Sequence, residues 1–247
     1  MGTMASGDAA VLAALIAVAA LLYASVGHGG ASAYLAAMAL YGLAPETMKP
    51  TALVLNLVVA SVGTITHLRA GNVDMRTLVP LIAASIPAAY VGGATKVGAE
   101  AYLPLLGGTL LVAAGRLAWP FKESQALRTP PVFALALAGV SIGFLSGLVG
   151  IGGGIFLSPL LLLFRWADAR KTAGASAVFI LVNSASGLTG HLASLQKVPG
   201  ELWIWAPCAL VGGLLGAWFG AHKVPAVAFR RLLALVLVVA AVKMLMP

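Results

Sequence analysis

Acidic residues are scarce in this chain. Only seven of its 247 residues are Asp or Glu: Asp8, Glu46, Asp74, Glu100, Glu123, Asp168 and Glu201. All lie at the ends of apolar stretches or between them. Proton and sodium pathways through a membrane are commonly built from buried carboxylates. Their absence argues against a cation carrier and against a metal site with acidic ligands. Cysteine is rarer still. Cys208 alone permits neither an intramolecular disulfide nor a Cys-based metal site, and in its apolar run it reads as a packed small residue. Nothing in the pattern calls for a cofactor.

Charge of either sign is sparse. Charged residues make up 9% of the chain and hydrophobic residues 61%. A soluble domain carries roughly 25% charged residues, so the expected class is an all-α, polytopic membrane protein whose first partner is the lipid bilayer. The stretch Met1 to Ala9 lacks the basic region and cleavage pattern of a signal peptide, and the first apolar stretch is expected to be retained. The net charge of +8 would suggest nucleic acid in a soluble protein. Here the Lys and Arg residues read as orientation charges in loops, and no nucleic-acid partner is expected.

Apolar stretches run roughly over 9–27, 30–43, 51–68, 77–95, 101–119, 131–149, 153–165, 172–194, 202–221 and 226–246. Most approach the ~20 residues that span a bilayer. The stretches 30–43 and 153–165 do not, and each follows a Gly-rich patch: Gly27, His28, Gly29 and Gly30 in one case, Gly150, Ile151, Gly152, Gly153 and Gly154 in the other. A polar segment from Trp119 to Pro131 divides the chain. We expect a first repeat over 1–119, a cytoplasmic linker over 120–130 and a second repeat over 131–247. The segment Gly63 to Leu68 answers Gly187 to Leu192, and Gly92 answers Gly216 at the same separation. Five elements per half place Arg69, Arg76, Lys122, Arg128, Arg165, Arg170, Lys171, Lys223, Arg230 and Arg231 on one side. Lys49, Lys96, Lys197 and Lys243 fall on the other. Fusing each short stretch with its predecessor destroys this bias. The positive-inside rule therefore favours two inverted repeats of five elements, with both termini outside. It does not distinguish full spans from re-entrant pairs for 9–43 and 131–165.

Interrupted segments at matching places in two halves point to a transporter binding site. A helix starting at Gly30 or Gly153 presents free N–H groups and the positive end of its dipole, which suits a small anion. The alternative is a tight turn where helices cross. The Gly150 patch is no nucleotide loop, because it lacks the following Lys-Ser/Thr and no strand precedes it. Asn56, Ala60, Gly63 and His67 share one helix face. So do Asn183, Ser186, Gly187 and Gly190, with His191 adjoining. Close helix packing in lipid uses the same small residues, so both readings stand. Lys49 and Lys171 each precede the next long helix, as pore-mouth charges or orientation charges. A membrane-embedded hydrolase would need Ser32, Ser146 or Ser176 beside a histidine, and no third, orienting acid lies within the membrane. A non-catalytic subunit of a membrane complex is the third reading. Oligomeric state is not legible.

The run from Gly143 to Pro159, followed by Lys171 to Ser176, resembles the signature of the sulfite exporter TauE/SafE family. The run from Val26 to Ser32, with Lys49 to Ala52, is similar to it in diverged form, with His28 in place of Ile151, Ala31 in place of Gly154 and Tyr34 in place of an aliphatic residue. The resemblance covers nearly the whole chain. It implies an inner-membrane carrier with duplicated halves that exports small sulfur-containing anions such as sulfite or organosulfonates. The substrate-binding candidates are Gly27, His28, Gly29, Gly30, Asn56, His67, Gly150, Gly152, Gly153, Gly154, Ser176, Asn183, Ser186 and His191.

Overall fold

The computed structural model describes residues 6–25, 27–118, 126–192, 195, 198–221 and positions 234, 235, 237–239, 241, 242, 244 and 245. Among them run nine helices: α1 (Ser6–Ala24), α2 (Ala31–Leu40), α3 (Pro45–Arg69), α4 (Met75–Ala94), α5 (Ala99–Ala118), α6 (Val132–Val149), α7 (Gly154–Leu163), α8 (Ala169–Gly190) and α9 (Leu202–Ala221). No strand occurs among the described residues. Six helices (α1, α3, α4, α6, α8 and α9) are long and apolar enough to cross a membrane. The tenth stretch, 226–246, lies mostly outside the described residues. Within it Ala234, Leu237, Ala241 and Met244 are buried at helical spacing. Lys122, Lys197, Lys223, Arg230, Arg231 and Lys243 also lie outside the described residues, as do 120–125 of the linker.

The third and eighth elements start earlier than hydropathy suggests. Helix α3 begins at Pro45, whose fixed φ suits a first helical position, and Glu46 complements the dipole there. Lys49 therefore stands within α3 rather than before it. Helix α8 begins after Asp168, whose side chain accepts from the Lys171 N–H at 2.8 Å, an N-cap. Lys171 is exposed.

Helices approach closely where glycine removes the side chain. On α6, Gly139, Gly143 and Gly147 lie one turn apart against the carbonyls of Leu81, Ser85 and Ala89 on α4. On α9, Gly212 and Gly216 lie against the carbonyls of Ala17 and Leu21 on α1. Gly92 meets the Phe144 carbonyl on α6. Helix α1 thus packs on α9 as α4 packs on α6.

The breaks are short left-handed turns. Gly27, Gly30, Gly150, Gly152 and Gly153 all have φ between 76° and 114°, the region that favours glycine. The Arg128 N–H donates to the Arg165 carbonyl at 2.8 Å, which brings the chain entering α6 beside the chain leaving α7. Helix α7 has ten residues and is about 15 Å long, half of a hydrocarbon core.

Candidate functional site

A cavity of about 590 Å³ lies between residues of the two halves. Its deep wall includes Val59 and Ala60, both buried. Its outer wall includes Thr66, Ala70 and Arg170, all exposed. Along α3 that is a depth of roughly 16 Å, about half of a bilayer core. A water molecule occupies about 30 Å³, so the space admits a hydrated ion or a small organic anion. Among the described residues no carboxylate lines the cavity, whereas His28, His67 and Arg170 do. Such a wall favours negative or neutral solutes over cations.

The first glycine break forms part of this wall. Gly27, His28 and Gly29 all line it. A methyl group on Gly27 would come within 2.6 Å of Ala173 Cβ and 3.5 Å of His67 Nε2. His67, near the end of α3, is half-buried, and Asn72 Nδ2 approaches its Nδ1 at 3.5 Å. His28 Nε2 shares a hydrogen bond of 2.7 Å with Ser158 Oγ on α7. Ser158 Oγ in turn lies 2.8 Å from Ser176 Oγ on α8. Both serines are fully buried. The chain Ser176–Ser158–His28 thus holds the imidazole at the cavity wall from behind. Ser158 was missed as a site residue because an isolated serine in an apolar helix carries no local signal.

The second break is sealed. Gly150, Gly152, Gly153 and Gly154 are buried and none lines the cavity. Asn56 joins the two breaks at their backs. Its Oδ1 accepts from the Ala31 N–H at 3.2 Å. Its Nδ2 donates to the Ile151 carbonyl and to Ser184 Oγ, each at 3.3 Å. One free N–H at the start of α2, beside Gly30, is therefore capped by an amide. Asn56 is completely buried and does not line the cavity. Tyr34 has its hydroxyl donated to the Gly29 carbonyl at 2.9 Å and is fully buried, so it braces the turn rather than facing solute.

The stripe on α8 is divided among other neighbours. Asn183 is buried and donates Nδ2 to the Phe179 carbonyl of its own helix at 2.8 Å, while its Oδ1 has no partner among the described residues. Ser186 donates to the Ile86 carbonyl on α4 at 2.6 Å. His191 ends α8, 7% exposed, with Nε2 donating to the Gly147 carbonyl at 3.1 Å. Burial lowers its pKa from the ordinary value of 6.5. The Gly147 carbonyl opposes that shift and the nearby Lys49 charge adds to it. Lys49 is 5% exposed, with Nζ 4.2 Å from the centre of the Tyr102 ring. Tyr102 donates its hydroxyl to the Val149 carbonyl at 2.9 Å. Burying an ammonium costs several kcal/mol (of order 3 at a membrane centre), and a cation–π contact returns about 0.5–2. No ion pair to Lys49 occurs among the described residues, and Glu46 one turn earlier is exposed.

The comparisons with known proteins agree with one another. The profile described as "Sulfite exporter TauE/SafE" matches residues 12–244. "Probable membrane transporter protein y4hK" of Sinorhizobium fredii is 40% identical over 243 residues, 96% of this chain and 98% of that protein. "Probable membrane transporter protein YtnM" of Bacillus subtilis is 25% identical over 189 residues, 72% of this chain and 61% of that protein. No solved structure matches. A family profile spanning nearly the whole chain, with helices alone and six of membrane length among the described residues, makes the assignment: this chain belongs to the sulfite exporter TauE/SafE family of membrane transporters.

Proposed function

We propose that the chain is a secondary transporter that exports small sulfur-containing anions, such as sulfite or organosulfonates, across the inner membrane. The observation that carries this reading is a cavity lined by His28, His67 and Arg170 and by no carboxylate among the described residues. Anions enter it from the end of the bundle that gathers Arg69, Arg76, Arg128, Arg165, Arg170 and Lys171, which the positive-inside rule assigns to the cytoplasm. Both termini then lie outside and the linker 120–130 inside.

The mechanism we infer is alternating access by two inverted repeats, 1–119 and 131–247. The matched packing of α1 on α9 and α4 on α6 supports it. So do the matched contacts of the glycine breaks, since Gly29 and Gly152 both face Asn56 and Ile180. In this reading α1–α2 and α6–α7 are re-entrant pairs that enter from opposite faces. The Gly-rich turns, Asn56, Ser176 and the α8 stripe set the geometry of the path, and His28 and His67 meet the solute directly. We read the Ser158–His28 bond as positioning rather than hydrolytic, because Ser158 is fully buried and no carboxylate among the described residues lines the cavity.

The test is flux in liposomes containing the purified chain alone, with sulfite, thiosulfate, sulfoacetate, taurine and chloride offered separately. Flux of sulfite or a sulfonate exceeding that of chloride is expected. Vesicles that pass none of these anions would refute the carrier and favour a partner subunit. Hydrolysis of an ester substrate without flux would favour the enzyme.

A further inference from the structure

We propose that Lys49 is the anion contact of a second mouth of the same path, closed in this conformation, with His191 in its wall. This rests on the carrier reading above. The open mouth is built from Gly27 against Ala173, with His67 3.5 Å from a methyl placed on Gly27. On its floor Gly63 faces Ala177, whose Cβ would lie 3.4 Å from an added methyl. The same pairings recur in the other half at the corresponding positions. A methyl on Gly150 would lie 3.2 Å from Lys49 Cα, and one on Gly187 would lie 3.6 Å from Leu53 Cδ1. His191 takes the place of His67. Lys49 thus stands where the open mouth has Ala173, and Leu53 where it has Ala177.

The counterpart is sealed. Lys49, Leu53, Gly150, Gly187 and His191 are all buried. Yet it holds an ammonium with no ion pair among the described residues, set on the Tyr102 ring. A charge placed only for packing would be cheaper as Met or Leu. The charge is explained if the region is wet and meets an anion in another state of the cycle. A rocking of the halves that closes Gly27 on Ala173 opens Gly150 from Lys49. The two mouths are then chemically unequal: His28, His67 and a rim arginine on one side, His191 and a deep lysine on the other.

The test begins from the chain with Cys208→Ser. Single cysteines are introduced as Ala173→Cys and Lys49→Cys and treated with a membrane-impermeant maleimide in right-side-out cells and in inside-out vesicles. Ala173→Cys is expected to react in inside-out vesicles only. Lys49→Cys is expected to react in right-side-out cells only, at least tenfold more slowly. A Lys49→Cys that is unreactive from both sides, or reactive from the same side as Ala173→Cys, overturns the second mouth. Lys49→Met keeps the apolar stem and removes the charge. Its sulfite flux in liposomes should fall at least tenfold while its melting temperature holds or rises. Flux within twofold of the unsubstituted chain overturns the role of the charge. Labelling needs no flux, so the two failures separate. Inert vesicles of the unsubstituted chain refute the carrier itself, whereas good flux with an unreactive Lys49→Cys refutes only the second mouth.

Discussion

The side-chain amide of Asn56 donates to the main-chain carbonyl of Ile151 at 3.3 Å, tying a helix of the first half to the glycine turn of the second. The same amide caps the Ala31 N–H. Both turns therefore depend on one buried side chain, and their relative position follows from where α3 carries it. Asn56→Ala should leave the Ala31 N–H and the Ile151 carbonyl without partners. We expect a loss of roughly 1–3 kcal/mol for each orphaned group that water does not reach, read as a lower melting temperature in detergent. A melting temperature equal to that of the unsubstituted chain would remove Asn56 from this role.

His28 is expected to serve the solute and Asn56 the fold, and the two should separate by measurement. His28→Ala should cut anion flux at least tenfold with only a small change in melting temperature. Ser158→Ala leaves the imidazole in place but removes the bond that holds it, so an intermediate loss of flux is expected. Equal flux in all three chains would show that the imidazole takes no part.

Gly27→Ala tests the narrow point of the cavity. Its φ of +77° disfavours any side chain, and the added methyl meets Ala173 at 2.6 Å. Gly71 has φ +68° with nothing within 4 Å of an added methyl. Gly71→Ala should therefore show the backbone penalty alone, about 1–2 kcal/mol, and retain flux. Gly27→Ala should show the larger drop in stability together with lost flux. Proteoliposome flux beside thermal melting checks both.

Stability should fall in acid through His191. Its folded pKa lies below the unfolded value of 6.5 because burial, and then Lys49, disfavour the charged ring. The folded state binds the proton less readily than the unfolded one. The stability seen above pH 6.5 is therefore lost progressively as the pH falls below it. Melting temperatures measured from pH 8 to 5 should decline in the unsubstituted chain and decline less in His191→Gln. Parallel curves would assign the acid sensitivity elsewhere.

Much of the fold was legible before any coordinates. Hydropathy located the helical elements because lipid forces backbone groups to pair within the segment, and the glycine patches marked where α1 and α6 end. The start of α3 was misplaced by several residues, since Lys49 and Pro50 look like loop residues until Pro45 is seen to open the helix. The sealing of the Gly150 turn could not be read, because its neighbours Lys49, Asn56 and Phe179 are far away in sequence. Ser158 was invisible for the same reason. Its meaning comes from His28, on another helix.

The sequence by itself determined that the chain lies in a membrane, that glycine breaks precede its two short segments and that acids stand at segment ends and in loops. These are properties of composition and spacing, which act through the solvent that each segment must enter. The tertiary structure alone decided which break faces a cavity and which is closed, and which histidines meet that cavity. It also decided that Lys49 is buried within α3. Those outcomes depend on how the helices pack, and packing joins residues that no local pattern connects.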